Sequence, residues 1–508
     1  MLRATLSSPR SLATRSSSAI YRTLFVREYA VAPSTGSTGT ISPEILHARR
    51  TPKKEGTIAD VFDLTGAPPL PQRFSDLKKE IYHDGIIQSW REVLDELKVT
   101  TEEIASEGGR VGLDSYLDCI SLAKQGEEQK KSIKKTGTVI VKGGVLKDEA
   151  LAWKQAIRDY AAANGDKVKG TPAENIVFYE VYNSKAQVAA RTHPALINTQ
   201  RALLTLWHSS DPSTPADFST PISYFDRLRI RAPGPSSFTL GPHIDGGGLE
   251  RWEDPGYRAC FARILEGRWK EHDPFDATPR LDAKQDLYHA PNQCSVFRPW
   301  QGWTSMSTTG PREGTLRLLP FLSLSTAYII LRPFFRPKPG RIVDGKVSLT
   351  ADDWELNLDG TDFPGSQMAK AQLLNEETHP HLRIDKAMIS LPQMEPGDQV
   401  YWHCDLVHAV EAEHIGKGDS SVLYIPATPL TVKNASYLRD QRDNFIAGYP
   451  PPDFPGGEGE AGFKGRATVD DVASGLGRRL LGLEPFEVPS NASAGVAKVI
   501  KQANAILF

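Results

Sequence analysis

Cysteine is scarce in this chain: four residues in 508, Cys119, Cys260, Cys294 and Cys404, with no CxxC spacing among them. Such a set rules out a disulfide framework, argues against a structural zinc site, and suits a reducing compartment. An excess of either charge is also missing, since 60 Lys and Arg stand against 62 Asp and Glu for a formal net charge of −2. That balance offers no electrostatic footing for nucleic acid or an anionic membrane surface, and it is compatible with a small-molecule partner. No apolar stretch reaches the roughly 20 residues of a membrane-spanning helix. The most apolar run, Leu318 to Leu331, contains Pro320, lies between Arg317 and Arg332, and reads as buried strands. There is no internal repeat, no signal for an oligomeric state, and no G-x-S-x-G motif of a nucleophilic hydrolase.

Acid is absent from the N-terminus until Glu28, while Arg3, Arg10, Arg15, Arg22 and Arg27 recur among many Ser and Thr. An Arg-rich, acid-poor leader without an apolar core points to a mitochondrial transit peptide over residues 1 to 30, hence to the matrix, with a cytoplasmic protein as the alternative. Residues 31 to 70, rich in Pro, Gly, Ser and Thr, read as a linker or an extended arm on the surface. Order is predicted from Phe74. Ser75 can cap a helix carrying Leu77, Ile81, Trp90, Val93, Leu94 and Leu97, and Thr100 with Glu103 has capping-box spacing for a further one. A strand over Thr138 to Lys142 and helices over 148 to 163 and 194 to 207 follow. The texture then changes to short strands: Ile222 to Ile230, Cys294 to Phe297, Gly302 to Thr308, Thr315 to Leu319, Ala327 to Leu331, Gln399 to His403 and Ser421 to Ala427. Many short strands behind early helices predict an α+β fold with a sandwich or jelly-roll core. A charged, Pro-rich insertion interrupts them at about 336 to 393 as a candidate lid, and the tail after Pro450, residues 451 to 508, is expected to be partly helical.

The chemistry centres on Gly241 to Gly248, GPHIDGGG, where His243 and Asp245 stand two residues apart. At a strand end, period-2 geometry puts both on one face, within reach of one cation. A third ligand is offered by Pro396 to Val410, PGDQVYWHCDLVHAV. Two histidines and a carboxylate form the facial triad of non-haem Fe(II) oxygenases, which leaves positions open for cosubstrate and O2. His403 competes with His408 for the third place, and the odd spacing between them sends only one towards the metal in a regular strand. We take His408, leaving His403 and Asp405 either as supports or pocket lining, or as a hydrogen-bonded core pair. Trp252, Tyr257, Trp300, Trp303 and Trp402 are candidate pocket walls or core aromatics.

Several ordered motifs together resemble a known family. They are Leu70-Pro71-Gln72-Arg73-Phe74, Asp226 to Gly234 leading into GPHIDGG, GPREGTLRLLP from Gly310, the PGDQVYWHCDLVHAV stretch, and VLYIPATP from Val422 to Pro429. Between about Leu70 and Pro429 the chain resembles Fe(II)/2-oxoglutarate-dependent dioxygenases of the phytanoyl-CoA hydroxylase-like branch, most closely the DUF1479 proteins. The resemblance implies a double-stranded β-helix (jelly roll, cupin-like) flanked by N- and C-terminal helices, a catalytic domain over 71 to 450, and Fe(II) held by His243, Asp245 and His408 rather than His403. It also implies 2-oxoglutarate and O2 as cosubstrates, with hydroxylation of a small molecule and release of succinate and CO2. One departure stands out. Such enzymes usually anchor 2-oxoglutarate with an arginine about ten residues after the distal histidine, whereas Glu411 to Ser421 here holds only Lys417 apart from histidine. A dicarboxylate calls for a cation, best a guanidinium, so the candidates are Arg227, Arg229, Arg231 and Arg317, with a hydroxyl from Ser421. Two alternatives remain at this level: a cupin-like metalloenzyme that does not use 2-oxoglutarate, and an inactive binding scaffold.

Overall fold

The computed structural model describes residues 48–106, 116–118 and 126–508 apart from 344. The expected leader at 1 to 30, the first part of the arm and Cys119 lie outside the described residues. The fold is mixed α/β and is built around two sheets, antiparallel apart from one edge pair. The strands that matter are β1 (Tyr116–Asp118), β2 (Thr138–Lys142), β3 (Gly170–Thr171), β4 (Phe178–Tyr179), β5 (Leu228–Arg231), β6 (His243–Ile244), β7 (Trp300–Ser305), β8 (Leu316–Leu318), β9 (Gln372–Leu373), β10 (Ile389–Ser390), β11 (Gln399–His403), β12 (His408–Val410) and β13 (Ser420–Tyr424). The larger sheet runs β1-β2-β11-β7-β13-β5-β4-β3 and the smaller one β9-β6-β12-β8-β10. From β5 onward the chain passes repeatedly between the two, so segments distant in sequence face each other across the gap.

The pleat decides what enters that gap. Strand β11, QVYWH, is buried along its whole length, because β2 and β7 pair with its two edges and both its faces are covered. Alternation sends Trp402 to one face and Tyr401 and His403 to the other. Strand β5 likewise puts Arg229 on one face and Leu228 on the other, where Leu228 joins an apolar cluster with Trp153 and Leu423.

Helices cover the outer faces. The early ones are α1 (Ile58–Phe62), α2 (Arg73–Ile81), α3 (Gly85–Ser106), α4 (Lys147–Asn164) and α5 (Pro194–Leu204); the later ones are α6 (Leu322–Leu331), α7 (Val432–Ala447) and α8 (Ala494–Leu507). In α3 the stripe Ile86, Trp90, Val93, Leu94, Leu97 and Ile104 is buried in the main core, and fully burying each such side chain contributes about 1.5–3 kcal/mol. Pro194 opens α5 at its first turn, where its missing N–H costs nothing. In the tail, α8 packs on α7 and on the strand Ala216–Ile222.

Several elements differ from the sequence reading. The run Leu318 to Leu331 is not two strands: β8 ends at Leu318 and α6 follows Pro320, buried on nearly all sides against α3. An apolar run buried all round has no periodicity to separate helix from strand. Ser75 does not cap a helix. It lies inside α2, and its hydroxyl donates to the Leu358 carbonyl at 3.1 Å. Helix α3 continues through Thr100 and Glu103 to Ser106, so no capping box forms there. The expected strand from Ile222 to Ile230 is interrupted, ending at Ile222 and resuming at Leu228. Cys294 to Phe297 is irregular, with the strand starting at Trp300. The segment 336 to 393 is no detached insertion, since it supplies β9 and β10 to the smaller sheet. Nor do residues 48 to 62 lie loosely on the surface: the Lys53 ammonium is buried in an ion pair with Asp286, and α1 buries Ile58 and Val61.

Candidate metal centre

Strand β6 lies between β9 and β12, and its register sets His243 directly opposite His408 of β12 and Leu373 of β9. The two imidazole centroids are consequently 4.1 Å apart. Two residues past His243, Asp245 returns to the same face. The chain then turns through Gly246 and Gly247 at φ +78° and +88°, where a β-carbon would also lie 2.5 Å from the Gln285 side-chain oxygen and 2.7 Å from the Gln285 carbonyl. Both glycines are demanded by backbone conformation and by close approach.

The three side chains converge. His243 Nε2 is 3.5 Å from Asp245 Oδ1, and His408 Nε2 is 3.9 Å from Asp245 Oδ2. One ligand atom from each lies within 4.8 Å of the others. The opposite ring nitrogens are tied to the backbone: His243 Nδ1 donates to the Gly241 carbonyl at 2.6 Å and His408 Nδ1 donates to the Leu406 carbonyl at 2.9 Å. A carbonyl can only accept, so each Nδ1 carries the hydrogen and each Nε2 presents its lone pair towards Asp245. Burial lowers the His243 pKa, and burial followed by the charge of His243 lowers that of His408 to about 3, so both rings are neutral donors near pH 7. Burial opposes the charge on Asp245, but its carboxyl lies below the ordinary range, held there by the imidazoles when they carry a proton and, with both rings neutral, by the Arg298 and Arg227 guanidinium groups. The donor set, two neutral imidazoles and one carboxylate, fits a divalent first-row transition metal.

This group opens on a cavity of about 110 Å³. Phe62 of α1 meets His243 edge-on at 4.7 Å, and Trp402 packs 5.1 Å from His408. Among the candidate aromatic walls, Trp303 and Trp402 line the cavity, whereas Trp252, Tyr257 and Trp300 lie in the core. The Trp252 and Trp300 indole N–H groups donate to the carbonyls of Ile330 and Leu203.

Of the four candidate arginines, Arg227 and Arg229 line the cavity, whereas Arg231 and Arg317 do not. Arg229 lines the cavity and is 3 % exposed; its Nη2 donates to the Gly314 carbonyl and the Ser420 hydroxyl, and among the described residues its Nε has no partner and no carboxylate pairs with it. Arg231 shares its face but lies beyond the cavity and is spent on the carbonyls of Glu411 and Ala412. Arg317 alternates away from the centre and donates to the Met388 carbonyl. Ser421 is also outside, its hydroxyl held by Asp419. Lys417 is exposed. Sequence reasoning missed Arg298, whose Nη1 is 3.1 Å from Asp226 Oδ2 and whose Nη2 is 3.4 Å from Asp245 Oδ2. It sits in the irregular stretch before β7, where no periodicity marks it.

The Gig2-like family model matches residues 68–483. The chain belongs to the Gig2-like family. YbiU of Escherichia coli K12 is 34% identical to the Gig2-like chain over 381 residues, covering 73% of this chain and 85% of YbiU. The crystal structure of GlcNAc Inducible Gene 2, GIG2 (DUF1479), from Candida albicans superposes with a TM-score of 0.77 at 34% identity, covering 87% of this chain and 95% of that one. A hypothetical protein of Escherichia coli gives 0.69 at 30% identity over 80% and 96% of the two chains.

A second group in the Gig2-like chain, His403, Cys404 and Asp405, is also close enough to ligate. Its groups are engaged elsewhere. Asp405 forms a buried two-pronged ion pair with Arg280, one arm of it 3.1 Å, and its N–H donates to His403 Nδ1. His403 Nε2 donates to the Pro274 carbonyl at 3.0 Å, and its ring stacks on Trp207 at 4.8 Å. His403 and Asp405 are therefore a core pair, neither pocket lining nor supports of the first group.

Proposed function

We propose that this Gig2-like protein is a non-haem Fe(II)- and 2-oxoglutarate-dependent oxygenase that hydroxylates a small molecule with release of succinate and CO2. The observation that carries the reading is the oriented triad, with both Nε2 atoms turned towards Asp245 and an uncompensated guanidinium, Arg229, in the same cavity. The strand order supports a jelly roll, with β5, β13, β7 and β11 in one sheet and β6, β12, β8 and β10 in the other.

In this reading His243, Asp245 and His408 hold Fe(II), which when bound with 2-oxoglutarate and O2 supplies the oxidising chemistry. The chain's own residues do the rest. The Gly241 and Leu406 carbonyls hold the imidazoles in the ligating tautomer, and Arg298 orients the Asp245 carboxylate. Arg229 anchors the far carboxylate of 2-oxoglutarate, its Nε free to donate. Phe62, Trp303 and Trp402 exclude water from the reacting face. The test is product analysis: with Fe(II), 2-oxoglutarate and O2 the protein should form succinate, and His408→Ala should not. An active metal-loaded protein that forms no succinate would support the cupin-like alternative instead. We further propose that residues 1 to 30 direct the chain to the mitochondrial matrix; a fluorescent fusion lacking them should lose that location.

A further inference from the structure

We propose that Arg227 is a second anion anchor in the cavity and that the substrate is a small monocarboxylate with an aromatic or otherwise apolar body. The inference rests on the oxygenase reading, and deepens it, because it concerns what remains of the cavity once 2-oxoglutarate is bound.

The first argument is charge. The described cavity wall carries three guanidinium groups, Arg227, Arg229 and Arg298, and two carboxylates, Asp226 and Asp245, with no other acid and no lysine. A divalent ion on the triad raises the positive excess to three. 2-Oxoglutarate brings two negative charges, so one cation is left without a counterion in the cavity. An uncompensated buried charge is costly, and a ligand that neutralises it is favoured accordingly. Glu180, the next acid near Arg227, lies outside the wall; burial raises its carboxyl pKa, and the charge of Arg227 opposes that shift.

The second argument identifies the cation. Arg298 bridges Asp226 and Asp245 at 3.1 and 3.4 Å, and is satisfied. Arg229 is assigned to 2-oxoglutarate. Arg227 donates a hydrogen bond from Nη1 to the neutral Asn292 Oδ1 at 3.0 Å, and its Nε makes a looser ion pair, 3.7 Å from an Asp226 carboxylate that Arg298 engages more closely. Among the described residues its Nη2 donates no hydrogen bond. The guanidinium plane is nonetheless held in place, 4.8 Å above the ring of Phe454, and is buried. A fixed, buried guanidinium with an idle edge matches a carboxylate. The same cavity wall carries Phe62, Trp303 and Trp402, and that apolar surface matches the remainder of the ligand.

The test uses the full chain loaded anaerobically with Fe(II) and saturating 2-oxoglutarate, titrated calorimetrically with phenylacetate and indole-3-acetate and with their uncharged amides. Each acid should bind more tightly than its amide by roughly tenfold to a hundredfold, the range of a charge-assisted hydrogen-bond pair. Arg227→Gln should abolish that preference and leave 2-oxoglutarate affinity unchanged, and Arg227→Lys should restore part of it. Asn292→Asp, which gives Arg227 an internal counterion, should weaken the acids without removing the guanidinium, and it decides the matter if the Arg227 variants fail to fold. Equal binding of acids and amides to the wild type, or an acid preference that survives both Arg227→Gln and Asn292→Asp, would overturn the proposal. Loss of 2-oxoglutarate binding with an Arg227-dependent acid preference intact would sink the oxygenase reading and leave the anchor standing.

Discussion

At the scale of single residues, the same side-chain types serve opposite ends depending on what their second polar atom finds. His243 and His408 give one nitrogen to a backbone carbonyl and keep the other for Asp245, whereas His403 spends both on the backbone. Asp405, two residues along from His403, is committed to Arg280 in a pair that is 3 % and 4 % exposed. Arg280→Ala would leave a carboxylate buried without its partner, and should lower stability by about 3–5 kcal/mol in a denaturant titration while sparing Fe(II) affinity. Glu250 makes a different prediction. Burial pushes its carboxyl up to about 7 from 4.5, although its Oε2 accepts from the Gly248 N–H. A carboxyl raised on folding stabilises the folded state while protonated, so its contribution is complete below the unfolded pKa and is lost as pH rises through about 7. The melting temperature of wild type relative to Glu250→Gln should therefore fall steadily between about pH 5 and 8. A pH-independent difference would show that Glu250 ionises at its ordinary value.

At the scale of elements, the site is made where short strands meet, and what was legible depended on period. H-x-D at a strand end requires only alternation, so the sequence alone placed His243 and Asp245 on one face, and parity separated His408 from His403. Parity also grouped Arg229 with Arg231, but could not tell that one faces the cavity and the other runs past its end into the Glu411 and Ala412 carbonyls. The arm was harder. Pro, Gly, Ser and Thr marked residues 31 to 70 as a linker or extended arm, which missed α1 within it and says nothing of where the arm packs. Lys53 is buried against Asp286 and the carbonyls of Ala290 and Gln293, and this holds α1 where Phe62 covers His243. Asp286→Asn should loosen that strap, seen as faster tryptic cleavage within residues 48 to 62, with saturating 2-oxoglutarate partly restoring protection. An unchanged cleavage rate would mean that the apolar contacts of α1 hold it without the ion pair.

At the scale of the whole molecule, the two sheets bring residues from β5, β6, β7, β11 and β12 to one cavity, across a sequence separation of 165 residues between His243 and His408. Ordered motifs made the DUF1479 resemblance readable, and the Gig2-like match over residues 68–483 with the GIG2 (DUF1479) structure bears that part out, while the phytanoyl-CoA hydroxylase-like branch belongs to the proposal. The long-range pairing that fixes Arg298 on Asp245, or seats β9 and β10 of the supposed insertion beside β6 and β8, is a product of tertiary packing and leaves no local pattern to read. The central claim joins the triad to Arg229, and anaerobic titration of Fe(II) and 2-oxoglutarate, followed by the visible metal-to-ligand charge-transfer absorption, addresses both halves at once. The account predicts a band in wild type, no band in His243→Ala, and a band in Arg229→Gln that needs roughly tenfold or more additional 2-oxoglutarate. A wild-type protein that binds Fe(II) yet shows no band, or an Arg229→Gln protein that saturates as wild type does, would contradict it.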